Sequence, residues 1–376
     1  MLPKGGSDVV EFDASRVQNP KLPFPQASSM SNQRRSSRAS SHVQDGRTPT
    51  LADVAKLAGV SPITVSRTLN QPEIVRPVLR EKVLRAIRKL GYVPAMMTGG
   101  GIGEHRNRLV SILVPTIANS IFADTIHALM ETLTQANYQT IIGLTNYSPE
   151  REEQLLDAIL RRRPDGIVLT GTLHTDASRE RLSRCGIPIV ETWDLVAKPL
   201  DMLVGFSHEA VGRAIAAYLL SKGHRCFAAI TLDDPRGHLR HVGLLAELKQ
   251  HGIRDVPQIV LPPPATVQLG REGLGRLLDQ GMCPDVVVCS SDTLAHGVLE
   301  EATERNLPVP ASLAVMGFGD LSTAAHLHPA LTTVNVNGTD IGARAAHALL
   351  KRLEPVEDSE KLLVDTGFTV VVRQSA

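Results

Sequence analysis

Ser61-Pro62-Ile63-Thr64-Val65-Ser66-Arg67 sets hydroxyl groups and a guanidinium at helical spacing, directly after a helix-starting Ser-Pro pair. Ser61 can accept a hydrogen bond from an orphan amide of the next turn, and Pro62 has no amide to leave unsatisfied at the first helical position. Val65 and Leu69, four residues apart, form one apolar stripe. Ile63, Thr64, Ser66 and Arg67 are left partly or wholly outward. A short helix with that outward face is suited to recognising a polar partner.

The neighbouring elements must hold that face in place. Thr50-Leu51-Ala52-Asp53 reads as a capping-box start for an earlier helix, with Leu51, Val54, Ala55 and Ala58 apolar and Gly59 as its stop. Two short helices around a Gly-containing turn form the helix-turn-helix arrangement, whose second helix enters the major groove of DNA. Val78 to Leu90 reads as a third helix, with Val83, Leu84, Ile87 and Leu90 inward and Arg80, Lys82, Arg85, Arg88 and Lys89 outward. The formal net charge of the chain is only +1, so these cations are a local concentration of the kind that phosphates require.

The rest of the chain speaks against catalysis. Gly205-Phe206-Ser207-His208-Glu209 lacks the second glycine of a nucleophile elbow. The run Gly99 to Gly103 lacks both the Gly-Lys-Ser/Thr of a P-loop and the third glycine of a dinucleotide fingerprint. Cys185, Cys226, Cys283 and Cys289 fall in no metal-ligand spacing and read as reduced core residues, and no motif calls for a cofactor. With 376 residues, 42% of them hydrophobic, the chain has room for a small headpiece and a larger two-lobed unit. No apolar run is long enough to span a membrane or to serve as an export signal, so a cytoplasmic location is expected.

From Leu109 onward, strand-like runs such as LVSILVP, GIVLTGT, FAAIT and DVVVCSS alternate with helical or loop stretches. This is the pattern of a parallel α/β fold, here with enough strands for two doubly wound lobes. The expected organisation is an unstructured leader over 1–48, a three-helix headpiece over 49–94, a hinge over 95–108 and a two-lobed core over 109–376.

The stretch TLADVAKLAGVSPITVSRTLNQPEIVRPVLREKVLRAIRKLGYVP resembles the DNA-binding headpiece of the LacI/GalR family of bacterial repressors, and the likeness continues more loosely to the end of the chain. The resemblance implies that Thr50, Ser61, Thr64, Ser66 and Asn70 hold phosphates while Pro62, Ile63 and Arg67 face base edges. This is physically coherent: hydroxyls and amides position a protein on phosphate, whereas an arginine forks onto guanine. Arg76-Pro77 departs from the serine cap common in the family. The family's hinge helix wedges a leucine into the minor groove; Ile102 is the matching residue here and Met97 its rival.

The resemblance further implies a type I periplasmic-binding-protein-like core, with a first lobe over 109–224, a second over 225–319, a return through LTTVNV and a last strand FTVVVR. In doubly wound sheets, ligands sit outside the carboxyl ends of strands. The strand-end residues Asn119, Ser120, Phe122, Thr170, His174, Trp193, Asp194, Arg236, Arg240, Ser291, Asp292 and Asp320 are therefore the candidates for an effector site. By family position, Arg240 and Asp292 are the foremost of them. Gly319 and Ala210 stand where sugar-binding members often carry acids, which turns the likeness towards gluconate-type repressors. A sugar acid needs cations and hydroxyls rather than carboxylates.

The expected partners are double-stranded operator DNA, a small sugar or sugar-acid effector and a second copy of the chain. The end at VVVRQSA, without a heptad tail, predicts a homodimer. A sugar-binding protein without regulation, or an α/β enzyme, would share the core pattern. The headpiece decides for an effector-controlled regulator.

Overall fold

The computed structural model describes residues 9–10, 50–90, 92, 107–117, 120–354 and 362–376. They form two compact units: a helical one whose described residues start at Thr50, and an α/β one that starts at Arg108 and includes Val9–Val10. The expected leader over 1–48 lies outside the described residues, apart from Val9–Val10, which form strand β1.

The helical unit has α1 (Leu51–Ala58), α2 (Pro62–Asn70) and α3 (Pro77–Leu90). Thr50 closes the capping box: its hydroxyl accepts from Asp53 N at 3.3 Å while its own amide donates to Asp53 Oδ2 at 2.7 Å. Gly59 stops α1 at φ 65°, a left-handed value that costs a Cβ-bearing residue about 1–2 kcal/mol. Val54, Ala55, Val65, Val83 and Ala86 make the small core. The expected inward Leu84 is instead 37% exposed, and Ala86 takes its place. Small residues let three short helices approach closely enough to bury a common centre.

The first lobe of the α/β unit runs β2 (Leu109–Val114), α4 (Ala123–Gln135), β3 (Gln139–Leu144), α5 (Pro149–Leu160), β4 (Gly166–Thr170), α6 (Asp176–Arg184), β5 (Ile189–Thr192) and β6 (Met202–Gly205). The second lobe runs α7 (His208–Ser221), β7 (Phe227–Leu232), α8 (Pro235–Gln250), β8 (Gln258–Leu261), α9 (Val267–Asp279), β9 (Val286–Cys289), α10 (Asp292–Glu304) and β10 (Ala314–Met316). The closing elements are β11 (Thr333–Asn335), α11 (Gly338–Leu353), β12 (Leu363–Asp365) and β13 (Thr369–Val371).

The first sheet has the order β12-β6-β5-β4-β2-β3 and the second β10-β9-β7-β8, with every pair parallel. In each, the first strand of the lobe has its successors on both sides, so that β2 lies between β3 and β4 and β7 between β8 and β9. Such a reversal opens a crevice at the carboxyl ends. β13 lies antiparallel between β11 and β1, and Met316 bridges to Thr332, so the last strand does rejoin the second lobe.

The chain crosses between lobes earlier than expected. The expected boundary at His224 is corrected to Gly205–Ser207, because α7 packs along α8. Glycines make that packing possible: a Cβ on Gly212 would collide with the carbonyl of Arg240, and one on Gly243 with the carbonyl of Glu209. The cysteines also differ from expectation, since Cys289 is buried and Cys185 half-buried whereas Cys226 and Cys283 are exposed.

Candidate functional site

The headpiece face is organised from the start of α2. Ser61 Oγ accepts from Thr64 N at 3.2 Å and lies 2.9 Å from Thr64 Oγ1, so the two hydroxyls sit together at the positive end of the helix. Val65 and Thr68 are buried, while Ser61, Pro62, Ile63 and Arg67 are exposed and Thr50, Thr64 and Ser66 half-exposed. Ile63 is 64% exposed, an apolar side chain at the front of a polar face. Arg80, Lys82, Arg85, Arg88 and Lys89 lie on α3, with Glu81 paired to Arg85 at 3.1 Å. The side chain of Asn70 is not described, and Met97, Ile102 and the glycine run lie outside the described residues.

The second site is a cleft enclosing about 400 Å³ of open space at the strand ends of both lobes. Phe122 and Trp193 line it from the first lobe, and Arg236, Arg240, Ser291 and Phe318 from the second. A groove beside it is lined by Thr170, Tyr147, Glu152 and Asp194, with Arg236 shared between the two. Tyr147 reaches both through two successive left-handed residues, Asn146 at φ 52° and Tyr147 at φ 60°.

A chain of charges crosses this cleft. Arg236 Nε donates to Asp194 Oδ1 at 2.9 Å, and Asp194 Oδ2 accepts from the amide and hydroxyl of Thr172 at 2.9 and 3.2 Å. Burial would raise the Asp194 carboxyl, but Arg236 and His208 outweigh it and hold the group well below the usual carboxylate range. Arg240 is buried, with NH1 donating to His208 Nδ1 at 3.0 Å and NH2 to the carbonyl of Ser290 at 2.9 Å. Its guanidinium carbon lies 3.9 Å from the centre of the Phe318 ring. Its Nε is buried and has no partner among the described residues.

Because Arg240 can only donate, His208 Nδ1 must accept, and the ring proton sits on Nε2. That nitrogen is 2.9 Å from the carbonyl of Trp193 and 3.2 Å from Asp194 Oδ1. Burial, reinforced by Arg240 and Arg236 and only partly offset by Asp194, lowers His208 to about 4. The ring is therefore neutral at pH 7.

Several expected effector residues have other work. His174 is closed off between Glu152 Oε1 at 2.6 Å and Glu191 Oε1 at 3.2 Å, and it lines neither the cleft nor the groove. Burial alone would lower His174; the two glutamates outweigh it and raise the ring to about 9. Asp292 does not line the cleft and instead binds two loops, accepting from Leu321 N at 2.8 Å and Thr333 Oγ1 at 2.5 Å. Burial pushes its carboxyl up to about 6. Asp320, at φ 48°, is held by Arg373 at 2.6 Å and Asn335 at 3.0 Å.

Trp193 is a buried wall rather than an open stacking platform, with its Nε1 donating to Thr125 Oγ1 at 3.2 Å and Phe122 packed edge-on at 4.9 Å. Asn119 lies outside the described residues. His208, Phe318 and Tyr147 were not among the sequence candidates. Each follows within a few residues of an apolar strand run, and that position was the only signal for them.

Known proteins resemble this chain over both units. Residues 50–95 match the family described as bacterial regulatory proteins, lacI family, and residues 216–376 match the periplasmic binding protein-like domain. The HTH-type transcriptional regulator GntR of Pseudomonas aeruginosa is 37% identical over 87% of this chain and 95% of its own length. The HTH-type transcriptional regulator IdnR of Escherichia coli is 30% identical over 85% of this chain and 96% of its own. Among solved structures, a LacI-family regulator from Silicibacter pomeroyi superposes with a TM-score of 0.75 at 30% identity, covering 87% of this chain and 98% of that one. The transcription regulator GntR from Chromobacterium violaceum gives 0.68 at 36% identity, covering 71% of this chain and 98% of that one. These relatives are regulators rather than enzymes, and with the helix-turn-helix and the two-lobed core in place the chain belongs to the lacI family of bacterial transcriptional regulators.

Proposed function

We propose that this protein is a cytoplasmic, homodimeric repressor whose affinity for its operator is set by a sugar acid of the gluconate type bound between the lobes. The observation that carries the effector class is Arg240: two of its nitrogens serve the protein, and Nε is buried beside the cleft without a partner among the described residues. A carboxylate or hydroxyl oxygen would satisfy that donor, and Arg236 and the hydroxyl of Ser291 are within the same lining. Ring walls from Phe122, Trp193 and Phe318 suit the C–H faces of a carbon chain.

On the DNA side, Thr50, Ser61, Thr64, Ser66 and Asn70 hold phosphates, and Pro62, Ile63 and Arg67 meet base edges. The hinge over 95–108, with Ile102 as wedge, couples headpiece to core. Closing the lobes shifts operator affinity by the effector's preference for one lobe arrangement, about 1–3 kcal/mol of coupling.

The test is calorimetry with a panel of sugars and sugar acids, followed by operator titration with each ligand that binds. Gluconate or a close sugar acid should bind and change operator affinity, while neutral sugars should not. Binding of neutral sugars alone would overturn the effector class, and light scattering that shows only monomer, with and without DNA, would overturn the dimer.

A further inference from the structure

We infer that the second lobe holds a site for a small monovalent anion, a halide, in a chamber behind the effector cleft, gripped by Arg240 and His241. In α8, Gly237, Arg240, His241 and Leu244 share one face, and that face is buried against α7 and β7. Against it lies a chamber lined by Arg240, His241, Thr231, Cys289 and Ser290, the rest of its wall being glycine and apolar side chains. It has room for about one water-sized group. Arg240 Nε and His241 Nδ1 are both buried with no hydrogen-bond partner among the described residues, in side chains of residues that are 9% and 8% exposed. Two unpartnered nitrogens at one small chamber call for an occupant.

Every polar side chain of the lining has a hydrogen to give. Arg240 Nε can only donate. Burial lowers His241, so its ring is neutral at pH 7, and its single hydrogen is on Nδ1 when an acceptor faces that nitrogen. Thr231 Oγ1 already accepts from Gln258 Nε2 at 2.8 Å and Ser290 Oγ from Leu232 N at 3.1 Å, which leaves each hydroxyl its own hydrogen to donate. Burial raises the Cys289 thiol, so it stays protonated.

No acid lines the chamber among the described residues. Asp194 is spent on Arg236, and Asp234 lines the cleft instead and caps α8, accepting from Gly237 N at 2.9 Å. Arg240 itself binds only the neutral His208 ring and the carbonyl of Ser290. A buried guanidinium without a carboxylate in contact, in a lining of donors, favours an anion over a water, which would bring two more hydrogens. The size of the chamber restricts that anion to a single atom. Arg240 and Ser290 line both chamber and cleft. The consequence for regulation rests on the sugar-acid reading proposed above: halide and effector acid draw on one guanidinium, so each weakens the other.

Crystals of the full chain soaked in bromide should show an anomalous peak in the chamber, in contact with Arg240 Nε and His241 Nδ1. His241→Leu should show none there, whereas His241→Asn, which keeps an amide near the place of Nδ1, should retain it. In solution, methanesulfonate is too large for the chamber. Exchanging chloride for it at equal ionic strength should lower the melting temperature of wild type and His241→Asn and leave that of His241→Leu unchanged. By calorimetry, gluconate should bind wild type about 5-fold more weakly, or more, in chloride than in methanesulfonate, and His241→Leu equally in both.

A wild-type chamber without bromide would overturn the site, and so would a peak of equal height in His241→Leu. Melting temperatures that respond alike in all three proteins would mean a general salt effect and would overturn it as well. Gluconate affinity that is the same in both salts, with bromide in the chamber, would overturn the competition. A wild type that binds no sugar acid in either salt would instead remove the effector reading and leave bromide to decide the site.

Discussion

His208→Gln should change how the stability of the core depends on pH. In the native protein His208 is neutral, wedged between the donor Arg240 and the carbonyl of Trp193, and burial lowers it from 6.5 to about 4. Above pH 6.5 neither the folded nor the unfolded state protonates this ring. Between 6.5 and about 4 the unfolded chain binds a proton that the folded chain refuses, so stability falls as pH falls.

That difference is worth about 3 kcal/mol over the whole window. Glutamine keeps a donor and an acceptor but does not titrate, so the variant lacks this loss. Whatever its packing costs, that cost is a constant offset. Asp292, raised to about 6, works in the opposite direction at acid pH but is present in both proteins and cancels in the difference.

The assay is urea unfolding at a series of pH values, followed by fluorescence of Trp193, the single tryptophan, which is 1% exposed beside His208. The stability advantage of wild type over variant should shrink by about 2–3 kcal/mol between pH 7 and pH 4.5. A difference that stays constant across that range would refute the neutral, Arg240-facing histidine.

Arg67→Ala should cost about 1–3 kcal/mol of operator binding and relax preference at one base pair, whereas Ser61→Ala, which loses the cap on Thr64 N, should weaken binding at every sequence alike. Binding to an operator library checks the contrast. Arg240→Met should abolish sugar-acid binding by calorimetry. It should also destabilise the core by about 2–4 kcal/mol, because the carbonyl of Ser290 and Nδ1 of His208 lose their donor inside the protein. Its operator affinity without effector should stay near wild type. His174 contributes with the opposite sign to His208. Raised to about 9 by Glu152 and Glu191, it stabilises fully below pH 6.5 and loses that contribution as pH climbs towards 9, so the advantage over His174→Gln should fall by about 3 kcal/mol across that interval in the same unfolding assay.

The headpiece was almost wholly legible in the sequence. A capping box, a Ser-Pro start and a glycine stop are local signals, formed by residues close in sequence, and each appears where the spacing places it. The long buried strands were legible for a similar reason, since a strand covered on both faces must be apolar throughout, as β7 and β9 are. The edge strands β8 and β12 were not. Their apolar runs are only Ile259-Val260-Leu261 and Leu362-Leu363-Val364, and burial alternates along them instead of covering every position.

The cleft was legible as a set of strand ends but not as a set of side chains. Strand-end position alone does not separate Arg240, His174, Asp292 and Asp320; tertiary structure does. Which of them lines the cleft depends on partners far away in the chain: Thr333 for Asp292, Arg373 for Asp320, Glu152 and Glu191 for His174. The same long-range packing assigned α7 to the second lobe and brought Arg240 to His208 through the glycine contact of α7 and α8. The sequence by itself thus determined the helix-turn-helix, the parallel α/β alternation and the end of each sheet where the cleft lies, because these follow from local sterics and hydrophobic period. Tertiary structure alone decided which charged groups spend all their hydrogen bonds inside the protein and which, like Arg240, leave a nitrogen without a partner among the described residues, because a buried polar group takes whatever partner the fold brings within about 3 Å of it.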